Sequence, residues 1–215
     1  PYKIYLNAKK IKLPAPDFKG KIFEDTVGEV LANGDFSAES ISISELSQIL
    51  AAANGIVDTE NKFDLRTTPV PLPQTQSFIY QHPVEIYVLV NRVSGLDAGL
   101  YHYSVRDHSL EVVKEYADSM PNCCFTPSVI KDAAVTFILS GIPSRLTWVY
   151  DTRSYRYMYM VAGAISQNIF LECSSMGLAS IATASFHDDL YNDLLGIDEN
   201  YEVALLLHLV GKIKP

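Results

Sequence analysis

The sequence predicts an α+β fold built around a single sheet. Three observations carry this. Apolar residues recur at helical spacing early in the chain. From residue 84 onward that period gives way to short apolar runs bounded by turn residues. One later stretch, Tyr155 to Met176, is apolar nearly all round. Helices first, then mixed strands and helices, is the order of an α+β domain rather than of repeating β-α units.

Residues 1–20 carry lysines and prolines without periodicity and are expected to form an extended arm, leaving 21–215 as the domain proper. Phe23, Val27, Val30 and Leu31 follow at helical spacing, with Gly34 as a stop. Ser42 and Glu45 have the spacing of a capping box, and Leu46, Ile49 and Leu50 continue that helix to Asn54-Gly55. From Asp58 to Gln76, prolines at 69, 71 and 73 mark a loop long enough to be functional. Val84 to Val90 reads as a mostly buried strand. Leu100-Tyr101-His102-Tyr103 and Leu110-Glu111-Val112-Val113 flank the turn residues Arg106-Asp107-His108 as a hairpin. Ala133 to Ser140 is a further strand. The 155–176 helix, lacking a polar face, needs cover from neighbours or from a second subunit. Ser185 with Asp188 starts a short helix reaching Leu195, and Val203 to Val210 is the last strand, followed by Gly211-Lys212.

Composition narrows the function. With 17 Lys and Arg against 25 Asp and Glu, the net charge is −8, so the surface repels phosphate backbones and no nucleic-acid partner is expected. The longest apolar stretch, Tyr157 to Ile165, is far short of the ~20 residues of a membrane span. No membrane association is expected. No early basic segment precedes an apolar run, which points to a cytoplasmic protein and leaves a removed presequence open. Cys123, Cys124 and Cys173 have no metal-ligand spacing and read as thiols of a reducing compartment. P-loop, GxGxxG, GxSxG and HExxH patterns are absent. The histidines at 82, 102, 108, 187 and 208 are scattered. His208, within an apolar strand, reads as a core residue, while His187 beside Asp188-Asp189 reads as a solvated helix start or a metal ligand. No metal is expected.

The run Ile43-Ser44-Glu45-Leu46-Ser47-Gln48-Ile49-Leu50-Ala51-Ala52-Ala53-Asn54-Gly55-Ile56 resembles the early helix of nitroreductase-like flavoproteins, in particular the SagB-type dehydrogenase branch. Arg66-Thr67-Thr68-Pro69 and His82-Pro83-Val84-Glu85-Ile86-Tyr87-Val88 are similar to that family's flavin loop and following strand. Gly95 to Tyr103 resembles its hairpin. Tyr155-Arg156-Tyr157 through Gly163, with Gln167-Asn168, resembles its central helix, and Ala184-Ser185-Phe186, Leu194-Leu195-Gly196 and Val210-Gly211-Lys212 follow in the family's order. The resemblance covers residues 11–214. It implies a nitroreductase-like fold, with a central mixed or antiparallel sheet flanked by helices, as an intertwined homodimer with FMN at the interface. In such proteins the flavin passes hydride to or from a stacked small organic or peptide-derived substrate.

Three positions depart from the family pattern. The first-helix arginines that grip the FMN phosphate are absent from Val30-Leu31-Ala32-Asn33-Gly34-Asp35, and Asp35 has the wrong sign. In the ring loop, counting back from Pro83 puts Ser77 on the family serine, but Phe78 and Ile79 replace its small neighbours. The Lys-Tyr pair proposed for azole formation falls on Val149-Tyr150, so only the phenol remains. The resemblance therefore implies flavin contact by Ser77, Ala184, Ser185 and Lys212, with Tyr150 as the catalytic candidate. Alternatives stand beside each: Ser185 as a helix cap, Lys212 as a solvated lysine, Tyr150 as core or dimer packing. Two functional readings follow. One is an FMN-dependent oxidoreductase; the other is a flavin-free relative serving as a binding or partner subunit.

Overall fold

The computed structural model describes residues 2–29, 34–58, 65–70, 81–115 and 127–214. The chain runs through β1 (Lys10–Lys12), α1 (Phe23–Gly28), β2 (Ile41–Ser42), α2 (Ile43–Asn54), β3 (Ile56–Asp58) and β4 (Leu65–Arg66). Next come β5 (Val84–Val90), β6 (Val93–Ser94), β7 (Gly99–Ser104) and β8 (Ser109–Glu115). α3 (Pro127–Asp132), β9 (Val135–Gly141), α4 (Ser144–Tyr150), α5 (Arg153–Ser175), β10 (Leu178–Thr183), α6 (Asp188–Leu195) and β11 (Val203–Lys212) complete it.

Among the described residues the main sheet has seven strands in the order β1-β8-β7-β5-β9-β11-β10. Every neighbouring pair is antiparallel. β5 is buried along its whole length, which explains its continuous apolar run. Its side chains still alternate: Val84, Ile86, Val88 and Val90 join one core with α2 and α5, while Tyr87 and Leu89 join a second core under α3 and α6. The expected α+β class with a central sheet flanked by helices is what the chain adopts, and the sheet is antiparallel.

The capping box forms as the sequence predicts. Glu45 donates its amide to Ser42 Oγ at 3.1 Å, and the Ser42 amide donates to Glu45 Oε2 at 2.7 Å. α5 buries Ser154, Met158, Val161, Ala162, Ile165, Ile169 and Cys173 against the sheet, the spacing of one helical face. Its opposite face exposes Tyr155, Tyr159 and Met160, with Trp148 of α4 beside them in sequence. That outer face is the apolar-all-round character read from the sequence. Gly196 sits in the left-handed region at φ 65° and closes α6.

Some features were not legible. α3 and α4 span only six and seven residues, too short to impose a readable period. Within the 1–20 segment, residues 10–12 pair with β8 and so extend the sheet. α6 begins two residues later than a Ser185 cap would place it. Its N-cap is His187, whose side chain makes no capping hydrogen bond; Phe186 before it is buried, and the Ser185 amide donates to Thr183 Oγ1 at 3.0 Å. α1 ends at Gly28; Val30 and Leu31 lie outside the described residues.

Candidate active site

Ser77, Phe78 and Ile79 fall outside the described residues, as do Cys123 and Cys124, but both flanks of the 71–80 segment are described. They are clamped to one point. The last turn of α2 presents its carbonyls to neighbouring side chains, although Ala51 O also accepts from the Gly55 amide at 2.8 Å. Thr67 Oγ1 donates to Ala51 O at 3.2 Å, Thr68 Oγ1 to Ala53 O at 2.7 Å, and Asn168 Nδ2 of α5 to Ala52 O at 3.1 Å. Asn168 also reaches Thr68 Oγ1 at 2.8 Å. On the far flank His82 is buried, with Nε2 3.2 Å from Thr68 O and Nδ1 3.2 Å from Val84 O. Burial, and then the charge of Arg66, pushes this imidazole down to about 3. It is neutral at physiological pH and donates to one carbonyl at a time.

Lys212 closes β11 opposite Leu178, whereas Thr183 pairs with Leu207. The ladder therefore sets Lys212 and the exposed Ala184-Ser185 corner at opposite ends of β10, roughly 20 Å apart along the strand. The fold does not bring them to one point. It does bring Lys212 beside the segment that carries Asp35. Phe36 bridges Ile213, the Ser37 amide donates to Lys212 O at 2.9 Å, and the Lys214 amide to Asp35 O at 3.2 Å. A Cβ on Gly211 would lie 2.9 Å from the Phe36 ring, so glycine permits this approach.

Lys212 Nζ ion-pairs with Glu45 Oε1 at 2.5 Å, at the N-terminus of α2. Burial alone would raise Glu45, but the Lys212 bond and then the Ser42 bonds outweigh it and hold the carboxyl below its usual range. This corner combines a helix N-terminus with an ammonium, both of which favour an anion, and Glu45 supplies one. A flavin phosphate fits this donor set at one cation, Lys212, in competition with Glu45. The small Ala184-Ser185 pair is exposed at the other end of the strand, with the Ser185 amide held by Thr183 Oγ1.

Tyr150 ends α4, half-buried, edge-on to Tyr157 of α5 with ring centroids 5.0 Å apart. Burial, then Tyr157, raises its phenol, which keeps its proton at neutral pH. Arg92, which sequence reasoning did not single out, donates to Ser37 O, Lys131 O and Asp132 O and so caps the end of α3. His208 is fully buried, as read from the sequence. Its Nδ1 meets Ser166 Oγ at 2.9 Å, its Nε2 has no partner among the described residues, and burial pushes it down to about 3.

A buried charged stripe on the second sheet face was missed entirely. The register places Lys10, Glu111, His102 and Tyr87 in one cross-strand row, with Glu85 and Ser140 paired in the next. His102 lies between two carboxylates, Nδ1 3.0 Å from Glu111 Oε2 and Nε2 3.0 Å from Glu85 Oε2. Arg145 of α4 ion-pairs with Glu85 and donates to His82 O at 2.6 Å, tying the stripe to the 71–80 flank. Burial lowers His102, but the bonds to Glu111 and Glu85 more than reverse it, so the imidazole is raised. Burial raises Glu85, but His102 and then Arg145 hold it at about 2. The available signal was a glutamate and a histidine inside otherwise apolar strands. Among the described residues no cluster of His, Cys, Asp and Glu is arranged to hold a metal, and no helix is long and apolar enough to cross a membrane.

The sequence matches the family model described as Nitroreductase family over residues 35–212, and the chain belongs to that family. MJ1384 of Methanocaldococcus jannaschii, a nitroreductase by name, is 28% identical over 204 residues, covering 94% of this chain and 96% of that protein. The trifolitoxin-processing protein TfxB of Rhizobium leguminosarum bv. trifolii is 31% identical over 139 residues, 61% of this chain but only 37% of TfxB. Among solved structures, a protein of Ralstonia eutropha JMP134 with a nitroreductase name aligns over 100% of this chain and 94% of its own, at TM-score 0.78 and 20% identity. The Escherichia coli microcin synthetase McbBCD complex with truncated pro-MccB17 aligns over 94% and 77%, at 0.66 and 19%. A Desulfovibrio desulfuricans nitroreductase-named protein in complex with FMN aligns over 91% and 88%, at 0.56 and 12%. At these identities the structures speak for the fold.

Proposed function

We propose that this chain is an FMN-dependent oxidoreductase acting on a small organic or peptide-derived substrate. The observation that carries the reading is the family match, which spans β2 to β11 and so takes in six of the seven described strands of the main sheet together with α2 and α5. An FMN-bound relative of the same fold supports the cofactor. The flavin, when bound, supplies hydride transfer. Lys212 meets the phosphate, released from Glu45. Ala184 and Ser185 offer backbone to the ring edge, Ser77 belongs to the ring-facing loop, and Tyr150 holds a proton for the substrate. TfxB and the microcin synthetase structure, whose names tie them to peptide processing and to a bound propeptide, favour a peptide-derived substrate. The exposed Tyr155, Tyr159 and Met160 of α5 give a homodimer an apolar surface to bury.

One observation favours the second reading, a flavin-free partner subunit: the Lys212 ammonium is already neutralised by Glu45. Denaturing the purified protein and measuring FMN by mass and fluorescence separates the two. FMN near one per chain supports the oxidoreductase. No flavin, and no uptake on adding FMN, overturns it.

A further inference from the structure

At the end of the charged stripe stands a second built site. Glu202, just before β11, is buried, with its side chain 7% exposed. Its Oε1 accepts from Ser140 Oγ at 2.6 Å and Tyr87 OH at 3.0 Å; its Oε2 accepts from the Lys3 ammonium at 2.5 Å. Lys3 also donates to Tyr87 OH. Its nitrogen lies 5.3 Å from the Tyr5 ring centroid and 5.2 Å from that of Tyr87. Tyr5 OH lies 3.1 Å from Tyr87 OH. The two hydroxyls carry no charge, and the Lys3 ammonium is the cation that pairs the buried carboxylate. The two phenol rings and the carboxylate together suit an ammonium on a slim alkyl stem.

The group that fills it arrives on a lightly held segment. Lys3 and Tyr5 turn inward, while Ile4 and Leu6 are 52% and 89% exposed. The Tyr5 amide reaches Glu111 only at 3.4 Å. Residues 2–9 form no helix or strand and are held by the Lys3 ion pair, by Tyr5 against the second core and by the Val112 amide donating to Lys9 O at 2.9 Å, which places the segment at the low-stability end of the molecule. Beside the cage an open cleft of ≈ 400 Å³, lined by Gln81, Ile142, Ser144, Arg145 and Tyr201 as well as Lys3 and Glu202, gives room for the rest of a ligand.

We propose that Tyr5, Tyr87, Ser140 and Glu202 form a receptor for a primary alkylammonium group, that Lys3 is its built-in occupant, and that the site accepts an external primary amine when Lys3 is withdrawn. Nothing in this site depends on a flavin.

The test is chemical rescue in the full chain. Lys3→Ala lowers the melting temperature by on the order of 5 °C. About 100 mM n-butylammonium chloride returns roughly half of the loss, while n-butanol and tetramethylammonium chloride at the same concentration do not. The double variant Lys3→Ala/Glu202→Gln shows no amine response. An equal response to all three solutes, or one that persists in the double variant, overturns the proposal. Should Lys3→Ala not fold, the wild-type chain gives the answer by competition. n-Butylammonium, but not tetramethylammonium, accelerates chymotryptic cleavage after Tyr5 and Leu6 in a saturable way; no difference between the two salts overturns it equally.

Discussion

Glu45→Gln isolates the question that decides the cofactor reading. Glu45 has two roles: one carboxylate oxygen closes the capping box of α2 and the other neutralises Lys212. Glutamine serves the capping box as well as glutamate does, so the helix start survives while the charge disappears. Freeing the half-exposed Lys212 removes a competing pair of about 0.2–1 kcal/mol. Removing an anion within about 5 Å of an incoming phosphate relieves roughly another 1 kcal/mol at the dielectric of bulk water. Together these are about 1–2 kcal/mol, or roughly a 5- to 30-fold tighter FMN dissociation constant. The assay is flavin fluorescence quenching on apo-protein, repeated at high salt, where the gain shrinks. Lys212→Met weakens binding in the same titration. If FMN affinity is unchanged in both variants, Lys212 does not hold the phosphate and the corner has another purpose. If only the glutamine variant takes up flavin, the native chain is a flavin-free relative whose carboxylate has replaced the phosphate.

Stability should fall with acid. His82 and His208 are held at about 3, below their unfolded value of 6.5, so each contributes stability that is present above pH 6.5 and is lost as pH falls toward 3. Glu85, held at about 2, adds a further loss from about pH 4.5 downward. His102 runs the opposite way: its raised imidazole stabilises fully below 6.5 and loses that contribution as pH rises. Urea midpoints from pH 4 to 8 should show the net acid slope, and His208→Leu should flatten it; an unchanged slope would refute the assignment. Arg145→Met leaves Glu85 with His102 as its remaining charged partner and releases His82 O, a cost of about 3 kcal/mol measurable by denaturant unfolding. Tyr150→Phe should leave the melting temperature within about 2 °C and cut kcat roughly 10- to 100-fold on an accepted quinone or nitroaromatic. Unchanged turnover would return Tyr150 to a packing role.

Much of the scaffold was legible because periodicity reports burial. β5, the β7–β8 hairpin and α5 follow from which side chains must face inward, and the capping box from the Ser42–Glu45 spacing. The site was less legible because its parts come from register and tertiary pairing. Nothing local to Lys212 announces Glu45, 167 residues away, as its partner. Nothing local to His102 announces that Glu85 and Glu111 flank it on neighbouring strands. The charged stripe left only an anomaly, ionisable residues inside apolar runs, which reads as noise until the strands are laid side by side. Ser185 misled in the other direction: a cap-like pattern was overridden once Phe186 found a core to enter.

The flanks of the 71–80 segment meet, with Thr68 O and His82 Nε2 3.2 Å apart. The contacts that hold these flanks together are made among Thr67, Thr68, His82, Asn168 and α2, and so do not depend on the residues between them. Natural variation can therefore rewrite the interior of this stretch, in length as well as in content, while the sheet and helices are inherited unchanged. Relatives diverging in what they act on have here a place to do so at small thermodynamic expense.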